Sequence, residues 1–162
     1  MSSARGPRAQ HNPTQPSIFA AENLSPAYPQ RAAWGTSRPL RAWQAAALKK
    51  YMDSTPEDFL AVATPGAGKS TFALRVATEL LAAGEVHRVT VVCPTEHLKY
   101  QWAEAAARVG IRLDPSYTNS QGALGSRFDG VALTYAQVAA NANLHRARTD
   151  SIRTLVVLDE IH

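Results

Sequence analysis

A single cysteine, Cys93, leaves no internal disulfide to form. That excludes the stapled folds of small secreted domains and fits a reducing, cytoplasmic setting. Cys93 lies in "VTVVC", where a small buried thiol is the plain reading. Long apolar runs are missing too. None approaches the roughly 20 residues that cross a bilayer, so a soluble chain without membrane contact is expected. The N-terminus lacks the apolar segment of a secretory signal. Aromatic residues make up only 7% of the chain, which argues against a stacking-rich binding module.

Outside its first quarter the chain also lacks net charge. Residues 1–41 hold Arg5, Arg8, Arg31, Arg38 and Arg41 against Glu22, so the whole net charge of +4 lies there. The remaining residues balance at 12 basic and 12 acidic. The basic stretch is rich in Pro, Ser, Ala, Gln and Asn and has no periodicity. Residues 1–37 are therefore expected to be a disordered basic tail, and an ordered domain is expected over 38–162.

The ordered part alternates. Trp43, Ala47, Leu48, Tyr51 and Met52 recur at helical spacing, with Lys49 and Lys50 on the other face. "FLAVA" (59–63) reads as a buried strand, "KSTFALRVATELLAAG" as a helix stopped at Gly84, and "VTVVC" (89–93) as a strand covered on both faces. "TEHLKYQWAEAAARVG" is a second helix, a polar connection follows over 114–127, and "VALTY" (131–135) and "TLVVLD" (154–159) complete the strands. This alternation predicts a three-layer α/β/α domain on a parallel sheet, with ligands at the carboxyl ends of the strands.

Between the first predicted strand and its helix stands "ATPGAGKST" (63–71). A phosphate-binding loop needs backbone N–H groups converging on oxygens, hence residues free to take positive φ, which Gly66 and Gly68 supply. Lys69 would reach the β- and γ-phosphates as a point charge. Ser70 would ligate Mg²⁺, and the following helix would offer its positive end. The loop from Thr64 through Ala67 to Thr71 is expected to complete the ATP-binding cradle. Ala63 occupies the position of the pattern's first glycine. At the far end, "LVVLDEIH" closes a strand with two carboxylates. Asp159 is suited to hold Mg²⁺ and Glu160 to orient and deprotonate an attacking water.

"ATPGAGKST" followed by "DEIH" resembles the superfamily 2 helicases and translocases, and in flavour the DEAD/DEAH-box group that includes the type III restriction enzyme subunits. The resemblance covers residues 38–162 and implies a P-loop, RecA-like first lobe that hydrolyses ATP to move on nucleic acid, DNA before RNA. It implies that Arg41 and Gln44, in "PLRAWQAAAL", contact the adenine. It implies that Thr95, in "CPTEHLKYQW", and Thr134 and Tyr135, in "LTYAQVA", lie on the nucleic-acid strand. By residue type alone, Arg41 and Gln44 also read as exposed helix residues, Thr95 as a helix cap, and Trp102 and Tyr135 as core.

The chain stops at His162, so the expectation is the N-terminal part of a longer protein whose second RecA-like lobe supplies arginine fingers. Such a finger contributes about 10³ to 10⁵ in rate, so the piece by itself is expected to bind ATP with little turnover. Two rivals are a motor subunit that translocates on duplex DNA without unwinding it and a P-loop nucleotidase or kinase of another class.

Overall fold

The computed structural model describes residues 39–160. The tail expected over 1–37 lies outside the described residues, as do Ile161 and His162. In chain order the elements are α1 (Ala42–Ser54), α2 (Lys69–Ala82), β1 (Arg88–Cys93), α3 (Glu96–Arg108), β2 (Leu113–Asp114), β3 (Gly130–Thr134), α4 (Tyr135–Ala140), α5 (Ala142–Ser151) and β4 (Thr154–Leu158). The strands form one sheet in the order β2-β3-β1-β4, and every pairing is parallel. The fold is therefore α/β, as the alternation predicts.

Register explains the layers. Val89, Val91 and Cys93 of β1 are fully buried and share a core with Leu74 and Ala77 of α2, Trp102 and Ala106 of α3, and Ile111 and Leu113. Leu155 and Val157 of β4, in register with Val89 and Val91, join that layer. Burial of one Val, Leu or Ile stabilises by about 1.5–3 kcal/mol. An exposed ion pair such as Glu104–Arg108 contributes about 0–1 kcal/mol. Helix α3 is thus held by its inner face. On the opposite side of the sheet, Val131 and Leu133 pack with Tyr117, Leu124 and Val138. That cover stops short of β4, where Val156 and Leu158 stay exposed. The expected cover on both faces holds for β1, whereas β4, read as a buried strand, leaves one face exposed.

A second core joins α1 to the outer stripe of α2. Phe72, Val76 and Leu80 pack on Trp43, Ala47, Leu48, Tyr51 and Met52, with Phe59 and Ala61 at the margin. The predicted strand over 59–63 is corrected here. Those residues belong to no strand of the sheet, and Leu60 and Val62 are 78% and 84% exposed. Their alternation buries one edge against the helix pair instead of entering a ladder. A second correction concerns Tyr135, read as the end of a strand. It opens α4, because Thr134 and Gln137 form a reciprocal cap: the Thr134 hydroxyl accepts the Gln137 backbone N–H at 3.1 Å, and the Gln137 side chain accepts the Thr134 backbone N–H at 3.0 Å.

The same Gln137 oxygen takes the Lys99 ammonium at 2.9 Å. Lys99, with its side chain 3% exposed, also reaches Glu96 at 3.0 Å. A buried cation is tolerated only with such partners, and the bond to Gln137 ties α3 to α4.

Candidate functional site

Helix α2 runs back along β1, since only residues 83–87 separate the end of one from the start of the other. At about 1.5 Å per helical residue and 3.3 Å per strand residue the two are of similar length. The N-terminus of α2 therefore comes to the carboxyl edge of the sheet. Asp159 after β4, Thr95 after β1 and Thr134–Tyr135 at the end of β3 lie at that same edge, because all the strands are parallel.

The loop ahead of α2 has the backbone its sequence requires. Gly66 and Gly68 take φ of 74° and 88°, the left-handed region. The Ala67 N–H closes a turn on the Thr64 carbonyl at 3.1 Å, and the Phe72 N–H makes the first bond of the helix, to the Gly68 carbonyl at 3.0 Å. The N–H groups of Lys69, Ser70 and Thr71 precede that bond and have no acceptor within the helix, which is what an anion needs at a helix N-terminus. The Lys69 ammonium spans the loop to the Ala63 carbonyl at 2.8 Å. Ser70 and Thr71 are exposed beside it.

Helix α1 grips the loop from behind. The Arg41 guanidinium donates to the Gly66 carbonyl at 3.1 Å, the Trp43 indole to the Ala67 carbonyl at 3.1 Å, and the Gln44 amide to the Gly68 carbonyl at 2.8 Å. Three consecutive carbonyls are thereby turned toward α1. Gln44, 3% exposed, also accepts the Arg41 backbone N–H at 2.8 Å, which opens the helix. The segment assigned to adenine thus meets the phosphate loop directly. Trp43 joins it, a residue that helical spacing marks only as apolar. The donor set fits a nucleotide phosphate: free helix-end N–H groups, a lysine at the mouth, and carbonyls drawn away.

The acidic end is built from a different group. The Asp159 backbone N–H donates to the Val92 carbonyl at 2.8 Å. Its side chain accepts the Trp102 indole N–H at 2.8 Å, and its carbonyl accepts the Tyr135 hydroxyl at 2.9 Å. Burial, and then the Asp159 carboxylate, push the Tyr135 phenol above its ordinary value, which keeps it a donor. Burial likewise pushes the Cys93 thiol up. Glu160 is exposed, at φ 52°. Asp159 and Ser70 are the residues that by type would hold a hydrated Mg²⁺.

Of the residues assigned to nucleic acid, Thr95 is exposed and caps α3, accepting the Leu98 N–H at 3.3 Å. Thr134 is 5% exposed, with its hydroxyl committed to the α4 cap. Tyr135 is half-buried against Asp159. Among the described residues, no cluster of His, Cys, Asp and Glu forms a separate metal site, and no helix is long and apolar enough to cross a membrane.

A family model described as "Type III restriction enzyme, res subunit" matches residues 37–162. The chain is similar to an uncharacterized protein of Mycobacterium leprae (strain TN), 54% identical over 158 residues, which are 96% of this chain and 26% of that protein. It is similar to uncharacterized proteins of two Mycobacterium tuberculosis strains, CDC 1551 / Oshkosh and ATCC 25618 / H37Rv. Each is 58% identical over 124 residues, 76% of this chain and 21% of the relative. The chain thus spans about a quarter of the length of the curated relatives it matches. The match extends from the segment that grips the phosphate loop to the acidic end of β4, and the chain belongs to the type III restriction enzyme res subunit family, as a P-loop ATP-binding domain of helicase or translocase type.

Proposed function

We propose that this domain is the first, ATP-hydrolysing lobe of a cytoplasmic motor that moves on nucleic acid, DNA before RNA, and that it works against a second RecA-like lobe. The observation that carries the reading is the loop at 63–71, with two left-handed glycines, three carbonyls tied back to α1 and Lys69 at its mouth. The cytoplasmic part rests on the lone, buried Cys93. The preference for DNA rests on the restriction-enzyme description of the matching family.

In this reading the N–H groups at the start of α2 and the Lys69 ammonium hold the β- and γ-phosphates, while Arg41 and Gln44 lie toward the base. Ser70 and Asp159 would hold Mg²⁺, which would supply positive charge to the phosphate oxygens. Glu160 takes the proton of the attacking water. Thr95, exposed at the carboxyl edge, meets the nucleic-acid backbone. Thr134 and Tyr135 shape that edge from beneath.

The test is steady-state ATP hydrolysis by the full-length protein, with and without polynucleotide, beside nucleotide affinity. Glu160→Gln should leave affinity nearly intact and lower turnover about 10²-fold or more. Asp159→Asn should damage both, because the metal joins nucleotide to site. Polynucleotide should raise wild-type turnover. Undiminished, polynucleotide-independent turnover in Glu160→Gln would remove the base assignment and the motor reading, leaving a P-loop nucleotidase of another class. Stimulation by duplex DNA without strand separation would select the translocase.

A further inference from the structure

Asp159 is held at three points, and only one belongs to the sheet. Its N–H on the Val92 carbonyl continues the pairing of β4 with β1. The other two contacts come from side chains on two helices: the Trp102 indole of α3 on Oδ2 at 2.8 Å and the Tyr135 hydroxyl of α4 on the carbonyl at 2.9 Å. Neither contact is needed to cap a helix or close a strand. We propose that Trp102 and Tyr135 are positioning residues that fix the Asp159 carboxylate in the orientation that receives the cation. This deepens the nucleotide-site reading above and rests on it.

Three physical features support the assignment. An indole N–H donates and cannot accept, so it meets one lone pair of Oδ2 and gives the carboxylate a preferred orientation. The indole is itself fixed: Trp102 is 5% exposed and packs among Leu74, Val91, Cys93 and Ala106. It cannot turn away without vacating the main core, so the donor is preorganised. Finally, β4 is the edge of the described sheet, with β1 as its only described neighbour and its far face exposed at Val156 and Leu158. At the end of that strand the Trp102 indole holds the Asp159 side chain and the Tyr135 hydroxyl holds its main-chain carbonyl, in addition to the bond to β1. Hydrogen bonds of this outer kind orient metal-binding carboxylates and commonly affect metal affinity by about 10- to 100-fold.

The test is calorimetric binding of a non-hydrolysable β,γ-imido ATP analogue to the full-length protein, in EDTA and in Mg²⁺. The quantity read is the gain in affinity due to Mg²⁺. Trp102→Phe keeps the ring and removes the donor. Its affinity in EDTA should stay within about twofold of wild type, while the Mg²⁺ gain falls by about tenfold. Tyr135→Phe should reduce the gain about three- to tenfold, as loss of one hydrogen bond does. In an Asp159→Ala background, Trp102→Phe should change the gain no further, because its action runs through that carboxylate. A merely structural tryptophan would weaken binding equally in both buffers; that result, or a further loss in Asp159→Ala, overturns the proposal. If Trp102→Phe fails to fold, Tyr135→Phe decides by the same quantity. A wild-type protein that binds the analogue with no gain from Mg²⁺ would overturn the nucleotide-site reading together with this one, whereas a wild-type gain that both variants keep would overturn this one alone.

Discussion

Gly66→Ala and Gly68→Ala look equivalent in sequence, yet the structure makes them differ by a definite amount. Both glycines are left-handed, so either alanine incurs about 1–2 kcal/mol of backbone strain. A Cβ at Gly66 meets nothing within 4 Å, and the cost ends there. A Cβ at Gly68 would lie 2.7 Å from the Gln44 side-chain nitrogen, which donates to the Gly68 carbonyl at 2.8 Å. Gln44 is 3% exposed and has no open water to turn into. It must break its bond inside the structure, which leaves a buried donor unmet at about 1–3 kcal/mol. Urea unfolding should therefore show Gly68→Ala to be less stable than Gly66→Ala by about 1–3 kcal/mol. Gln44→Ala removes the atom that clashes, so its combination with Gly68→Ala should fall short of additivity by about 1 kcal/mol or more, while Gln44→Ala with Gly66→Ala should add. Equal costs at the two glycines, or an additive cycle at Gly68 and Gln44, would refute the grip of α1 on the loop.

Two further outcomes follow from the packing. Gly130→Ala should abolish cooperative unfolding or lower Tm severely in a thermal melt, because its Cβ would fall 1.7 Å from the Val89 carbonyl, within the β1–β3 pairing; a shift of a degree or less is the contrary result, about the size expected of a neutral surface change. His145 should make stability depend on pH. Burial, and then Arg148, hold its pKa below the ordinary 6.5, against an opposing backbone hydrogen bond at Gln137. As pH falls through that ordinary value the unfolded chain takes up the proton first, so this contribution is whole above it and declines below it, toward the folded value. Tm should fall between about pH 7.5 and about pH 5.5 by more in wild type than in His145→Gln, and equal falls would contradict this.

The phosphate loop, α2, β1, α3 and β4 were legible because each is specified locally: by glycines before a lysine, by helical spacing, or by runs of β-branched residues. The segment 59–63 is not told from a strand by sequence because "FLAVA" and "TLVVL" are both short apolar runs, and what makes a strand is a neighbour to pair with, which a run of residues does not specify. Tyr135 was placed in the strand although "TYAQ" carries the Thr-x-x-Gln cap that opens a helix; that signal was available. The indoles were not legible in this way. Spacing marks Trp43 and Trp102 as apolar, and the acceptor of the Trp102 N–H lies 57 residues away. Thr95 as a cap was foreseeable from its place before the helix, whereas the burial of Thr134 goes with its place in the cap that opens α4.

In the proposed function the loop at 63–71 binds nucleotide phosphates through its backbone and Lys69. Calorimetry with ATP and Mg²⁺ on wild type and Lys69→Ala checks this. Lys69 donates a charged hydrogen bond in this account, worth about 1.5–3 kcal/mol, so the variant should bind about 10- to 100-fold more weakly while it unfolds at nearly the wild-type temperature. Equal affinity in the two proteins would contradict the account.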